Sequence, residues 1–249
     1  MIRNCELLDE QSTSFMKNIK QYIIISSLFM SSVLAKELNL HCATYWTESG
    51  KRFIMDQSNQ QLLGGAAITT LALTQIDVKA QNYIQSKGLI SNGMANVADY
   101  WGIGGQLLLW GSFINKKDKN ERLVYAMNAF VANGLITYGL KFAIGKERPD
   151  KSNNRSFPSA HTSNSFLTAT IAQETYGSKV GVPAYMLACI TGLSRIHEDK
   201  HYLSDVIFGA ALGTTVGRAF SYKYHKNMFG KVHVSITPQM DLRISFLLD

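Results

Sequence analysis

The sequence predicts an all-α protein: a helical bundle with a short β-hairpin at its C-terminal end. Three observations predict it. From Gln57 to Phe220 the apolar residues recur at helical spacing, without the period-two alternation of strands. The polar clusters that interrupt them are short, as connections between neighbouring helices are. Of the 249 residues 46% are apolar and only 17% charged, with four Pro, so wholesale disorder is excluded and one domain with its own core is the expectation.

Taken in order, Met16 opens a segment in which Lys17 and Lys20 precede an uncharged run to Leu34 and the small-residue ending Val33-Leu34-Ala35. That is the layout of a secretory signal peptide over 16–35, cleaved after Ala35. Its apolar stretch, Tyr22 to Leu34, is short for a bilayer span of about 20 residues, although an uncleaved anchor is the alternative. Residues 1–15 lie upstream of this second start and are set aside as an over-extended reading frame; 36–57 is an N-terminal segment without an assigned element. The helical domain is expected over 58–225. Charge-free runs at 57–76, 100–115, 123–140, 156–173, 180–194 and 206–217 mark its apolar cores. Helices are placed at 58–75, 77–87, 94–115, 121–144, 162–176, 180–196 and 202–222, with Asn115 to Glu121 and Glu147 to Phe157 as the clearest loops. Over 226–249, Val232, Val234 and Ile236 alternate with other residues, Pro238 interrupts, and Leu242, Ile244 and Phe246 alternate again, which reads as the terminal hairpin.

Lys plus Arg exceed Asp plus Glu by 25 to 18, a formal +7, which points towards an anionic partner. No nucleic-acid motif accompanies it. Cys5, Cys42 and Cys189 show neither CxxC nor Cys/His spacing, so no structural zinc site is expected, and pairing of Cys42 with Cys189 stays open. Most charge-free runs are too short or too polar to span a bilayer, and the mean hydropathy is −0.04. A secreted or periplasmic bundle, lying against a membrane or free of it, is therefore expected; a membrane-embedded enzyme with its site facing the periplasm is the alternative.

Three clusters between 141 and 205 carry candidate chemistry. Lys141 and Arg148 are seven apart, two helical turns, so both are expected on one side of a helix ending at Arg148-Pro149, where they would bracket an anion. Alone, the pair reads as a solvated basic helix end. Pro158-Ser159-Ala160-His161 opens the next helix, whose first backbone N–H groups form an anion site, with a hydroxyl from Ser159 and a titratable proton from His161. Alone, it reads as an N-cap with a surface histidine. Ser194-Arg195 is followed after five residues by His201 and then Asp205. The last two, four apart on a predicted helix, share a face on which a carboxylate holds one ring nitrogen and leaves the other nucleophilic. Arg195 adds a forked donor suited to phosphate oxygens. The alternative is a surface His201–Asp205 ion pair in a solvated loop with His197, Glu198, Asp199 and Lys200.

Together, Lys141-(six residues)-Arg148-Pro149, Pro158-Ser159-Ala160-His161 and Ser194-Arg195-(five residues)-His201-(three residues)-Asp205 resemble the three-part signature of the type 2 phosphatidic acid phosphatase and vanadium haloperoxidase superfamily. Ten identities at these spacings arise by chance on the order of once in ten million, which outweighs the bland reading of each cluster. The motifs cover 141–205 and the helices around them about 58–222. One departure is Ala160, where the family usually has Gly; the methyl group leaves the N–H available unless φ is strongly positive.

The resemblance implies a helical bundle of that family's type and a metal-independent phosphoric ester hydrolase, of the acid phosphatase or phosphatidate phosphatase kind, that needs no cofactor. His201 would attack phosphorus, Asp205 orient it, and His161 protonate the leaving oxygen. Lys141, Arg148, Arg195, Ser159 and the Ala160 N–H would surround the phosphate. The implied partner is a phosphate-ester substrate, soluble or lipid-linked, such as phosphatidate, lipid A or polyprenyl pyrophosphate. A vanadate-dependent haloperoxidase and a non-catalytic anion-binding protein are the other readings.

Overall fold

The computed structural model describes residues 39–88, 90–221, 232–236 and 242–246. The expected signal peptide and over-extended start lie outside the described residues, as does the side chain of Cys42; Cys189 is exposed. Among the described residues eight helices follow one another: α1 (Asn39–Met55), α2 (Gln57–Thr74), α3 (Asp77–Lys87), α4 (Asn92–Phe113), α5 (Lys119–Ile144), α6 (Ala160–Tyr176), α7 (Ser178–His197) and α8 (Leu203–Ala219). The strands β1 (Val232–Ile236) and β2 (Leu242–Phe246) pair antiparallel, Val232 opposite Phe246.

Seven of the helices coincide with expected ones, at ends differing by at most three residues. Local chemistry sets those ends. Asp56 caps α2 by accepting from Asn59 N at 3.1 Å, and Ser91 caps α4 by accepting from Met94 N at 3.3 Å. Gly88 and Gly145, both in the left-handed region, close α3 and α5. Helix α1 is the addition: Tyr45 and Ser49 are buried four residues apart, and the Tyr45 hydroxyl donates to the Phe220 carbonyl at 2.8 Å. Its charged neighbours Glu48, Lys51 and Arg52 hide that face from a hydrophobic-spacing argument.

Helix α6 packs between α7 and α8 and supplies the core residues Leu167, Ala169 and Ile171, none of them exposed. Glycines on α8 permit the close α6–α8 approach. A Cβ on Gly213 would stand 2.0 Å from the Ser163 carbonyl oxygen, and one on Gly209 2.7 Å from that of Ser159. The start of α6 is thereby pressed onto the start of α8. Among the described residues one helix, α5, is long and apolar enough to cross a membrane by length and composition.

Candidate active site

The three sequence clusters meet at one end of the bundle, where α5 stops and α6 and α8 begin. Helix α5 ends at Ile144, and the N–H of the left-handed Gly145 donates to the Lys141 carbonyl at 3.2 Å. Lys141 thus sits in the last turn while Arg148 lies beyond the helix, which corrects the expectation of two residues on one helical face. A folded loop unites them instead: Arg148 N donates to Asn153 O (3.0 Å) and Ser156 N to Lys146 O (2.8 Å). The buried Lys141 Nζ closes this loop by donating to the carbonyls of Arg155 (2.7 Å) and Ser156 (3.3 Å). A polar depression of about 550 Å³ opens beside Lys141, lined also by Gly145, Asn153 and Arg155.

Ser159 is the N-cap of α6. Its oxygen accepts from the Thr162 hydroxyl at 2.9 Å, so its own proton remains to be donated, and its N–H donates to the Asp205 carbonyl at 3.1 Å. That last bond stitches the second cluster to the third. Ala160 begins the helix and is not among the residues with positive φ, so its methyl group does not strain the turn. His161 follows in the first turn, half-buried. The positive end of the helix dipole points out of this turn.

Helix α8 starts at Leu203, so His201 precedes it and Asp205 stands at its third position; they do not share a helix, contrary to the spacing argument. The Arg195 carbonyl positions His201 by accepting its N–H at 3.1 Å. The fully buried Asp205 carboxylate accepts from Tyr202 N (3.0 Å), from Lys146 Nζ (2.9 Å) and from the Ser156 hydroxyl. His201 Nδ1 is 3.8 Å from Asp205 Oδ2, outside hydrogen-bond range but inside ion-pair range. Arg195, also buried, donates to Glu198 at 2.6 Å and to Ser194 Oγ at 3.4 Å.

The electrostatics follow from this packing. Burial pushes the His201 imidazole down to about 4, helped by the positive charges of Lys141 and Arg148 and opposed by Asp205, so the ring is neutral near pH 7. Burial also lowers Lys141, to about 8, with Arg148 and Arg155 acting in the same direction. Burial alone would raise Asp205, but His201, the Lys146 charge and the Ser156 hydroxyl together hold it below the ordinary carboxylate value.

The segment 122–229, which contains all three clusters, matches the family model described as the PAP2 superfamily. This segment is a PAP2 superfamily domain. It is 39% identical over 95 residues to the lipid A 1-phosphatase of Porphyromonas gingivalis, covering 37% of this chain and 21% of that one. It is 35% identical over 121 residues to the decaprenylphosphoryl-5-phosphoribose phosphatase of Mycobacterium tuberculosis, covering 45% and 66%. The chain thus spans about a fifth of the first relative and just under two-thirds of the second. A transmembrane PAP2 type phosphatidylglycerolphosphate phosphatase from Bacillus subtilis superimposes with a TM-score of 0.50 at 20% identity, over 67% of this chain and 97% of that one, which supports the PAP2 fold.

Several residues of this PAP2 site are not apparent from sequence. Lys146 lies between Lys141 and Arg148 without belonging to the cluster pattern, yet its Nζ bridges Asp205, Ser204 (2.8 Å) and the buried Asp77 (2.8 Å). Ser204 in turn donates its N–H to Asp77 at 3.0 Å. The loop 198–202 is not simply solvated either. Asp199 accepts from Gln81 at 2.6 Å, and Lys200 pairs with Asp150 at 2.7 Å, tying the loop to α3 and to the Arg148 turn. Among the described residues no group of three His, Cys, Asp or Glu side chains is placed to hold a metal ion.

Proposed function

We propose that this chain hydrolyses phosphate monoesters carried on lipids, through a phosphohistidine formed on His201 and without a metal. The observation that carries the reading is the convergence of a neutral, buried imidazole with Lys141, Arg148 and Arg195 beside the N-terminus of α6. A neutral ring is a nucleophile, and three cations facing a dianionic ester hold the charge that builds on the equatorial oxygens.

In the first half-reaction His201 Nε2 forms a bond to phosphorus as the ester P–O bond breaks, and His161 gives its proton to the departing alkoxide. Asp205 faces Nδ1 and stabilises the positive ring; the 3.8 Å gap shortens as that charge develops. In the second half-reaction water attacks the phosphohistidine, His161 takes its proton, the N–P bond breaks and inorganic phosphate leaves. Ser159 and the Ala160 N–H supply fixed donors to the same oxygens.

The lipid substrate class rests on the curated relatives, named for lipid A and for a decaprenylphosphoryl sugar phosphate. Exposed apolar side chains such as Ile68 (72%) and Leu71 (70%) on α2 and Phe142 (66%) on α5 support contact with a membrane surface. The test compares the native chain with His201→Ala on dispersed phosphatidate and on p-nitrophenyl phosphate. Loss of at least about a thousandfold in kcat, with phosphate trapped on His201 in the native chain, is expected. Near-native turnover by the variant, or phosphate trapped on another residue, refutes it.

A further inference from the structure

At the other end of the bundle lies an apolar groove of about 530 Å³ between α4, α6 and α7. Its α6 wall runs from Thr168 to Tyr176, beginning eight residues beyond Ala160, so it starts about 12 Å along the helix from the catalytic end and runs away from it. Leu108, Leu109, Ala184 and Leu187 form the sides. The ring of Trp101 lies against Gly105, where a side chain would collide with it at 2.9 Å, and this keeps one wall flat. The volume falls within the range of small-ligand sites. Leu107 (52%), Val182 (49%) and Met186 (63%), neighbours in sequence of lining residues, are also exposed.

The mouth differs in chemistry from the walls. Lys116 follows α4 and Lys179 opens α7, both exposed, and no carboxylate lines the groove. Lys116 Nζ sits 5.7 Å from the centre of the Tyr176 ring, and the Tyr176 hydroxyl shares a 2.7 Å hydrogen bond with Ser112 at the same edge. Apolar walls about 12–16 Å long that end in two cations and two hydroxyls complement one alkyl chain with one anionic head.

We propose that this groove binds a single-chain anionic lipid of the fatty-acid type, alkyl chain along Trp101 and Leu108 and carboxylate between Lys116 and Lys179. The proposal goes beyond the phosphatase reading and does not depend on it, because no residue of the groove belongs to the catalytic end.

The experiment titrates the full-length protein with dibrominated stearate and follows tryptophan fluorescence. Saturable quenching, displaced by plain stearate and largely lost in Trp101→Phe, is expected. The double variant Lys116→Glu/Lys179→Glu should raise the half-saturating concentration at least about tenfold, and Leu108→Asp, at an exposed position, should do the same. An unchanged circular dichroism spectrum and thermal midpoint in these variants reports that they are folded. Non-saturable quenching, equal binding of the methyl ester, or indifference to charge reversal overturns the proposal. So does a dimer that Leu108→Asp dissolves, which would assign the groove to a second copy of the chain.

Discussion

Replacing Lys146 with Met tests whether Asp205, the carboxylate proposed to orient His201, is positioned by residues outside the three clusters. Lys146 Nζ stands 2.9 Å from Asp205 and 2.8 Å from Asp77, whose side chains are 0% and 6% exposed, while its own is 24% exposed. Met fills a similar volume but leaves two buried carboxylates facing one another without a cation. Removing one partner of a buried pair costs about 3–5 kcal/mol, and the partial exposure of Lys146 places the cost near the lower end, about 3 kcal/mol. Denaturant unfolding measures this directly. The sign with pH follows from Asp205: its lowered pKa contributes stability that is present above the ordinary carboxylate value and lost as pH falls through the lowered one. In Lys146→Met that loss should begin at higher pH. Activity separates positioning from mere stability. The acid limb of the kcat profile should move upward and kcat fall about 10–100-fold, as for other supporting residues, with KM little changed; Lys146→Arg should restore both. Adding Asp77→Asn should recover part of the lost stability, since one uncompensated carboxylate disappears. A Lys146→Met protein within about 0.5 kcal/mol of native stability, with kcat intact, would refute the network.

Gly213→Ala, which aims a methyl group at the Ser163 carbonyl 2.0 Å away, should cost at least about 1–3 kcal/mol in denaturant unfolding. Gly139→Ala, with nothing within 4 Å, should be neutral or stabilising by up to about 1 kcal/mol; equal effects at the two sites would contradict the packing described. Lys141 loses its charge as pH rises through about 8, so kcat/KM should decline there, and Lys141→Arg should push that limb upward. Followed by NMR, the His201 ring should stay neutral until pH falls to about 4; protonation of that ring at the ordinary histidine value near 6.5 would show that it is not buried as described. Glu198→Gln removes the charged partner of Arg195 and should lower KM, by about fivefold at most because Glu198 is 26% exposed; an unchanged KM would place Arg195 away from the phosphate.

Most helices could be read from the sequence because their apolar positions repeat at one period over long stretches, and because Ser, Asp and Gly stand where caps are needed. Helix α1 could not, since its buried face is Tyr45, Ser49 and the half-buried Phe53, interleaved with charges. The close α6–α8 contact was also hidden. It depends on Gly209 and Gly213 presenting bare backbone to the Ser159 and Ser163 carbonyls, and a glycine pattern alone does not say which helix it faces.

The candidate site divides along the same line between what repeats locally and what only folding brings together. Lys141, Arg148, Ser159, Arg195, His201 and Asp205 could be named because their spacings are a sequence pattern. Helical periodicity does not explain those spacings: Arg148 and His201 lie in loops, and it aligns neither of them with its partner. What aligns them is a set of contacts between segments far apart in the chain. Ser159 N–H meets the Asp205 carbonyl across 46 residues, Asp150 meets Lys200 across 50, and Lys146 reaches Asp77 across 69. Each partner is an unremarkable polar residue when read alone. Asp77 in particular sits at the first position of α3, where the helix dipole alone would account for it. Only its burial against Lys146 and Ser204 shows that a carboxylate is needed there to neutralise the lysine that steadies Asp205. Because Lys146 and Asp77 cancel, Asp205 is supported without adding net charge, and the proposed phosphate site keeps the positive field of Lys141, Arg148 and Arg195.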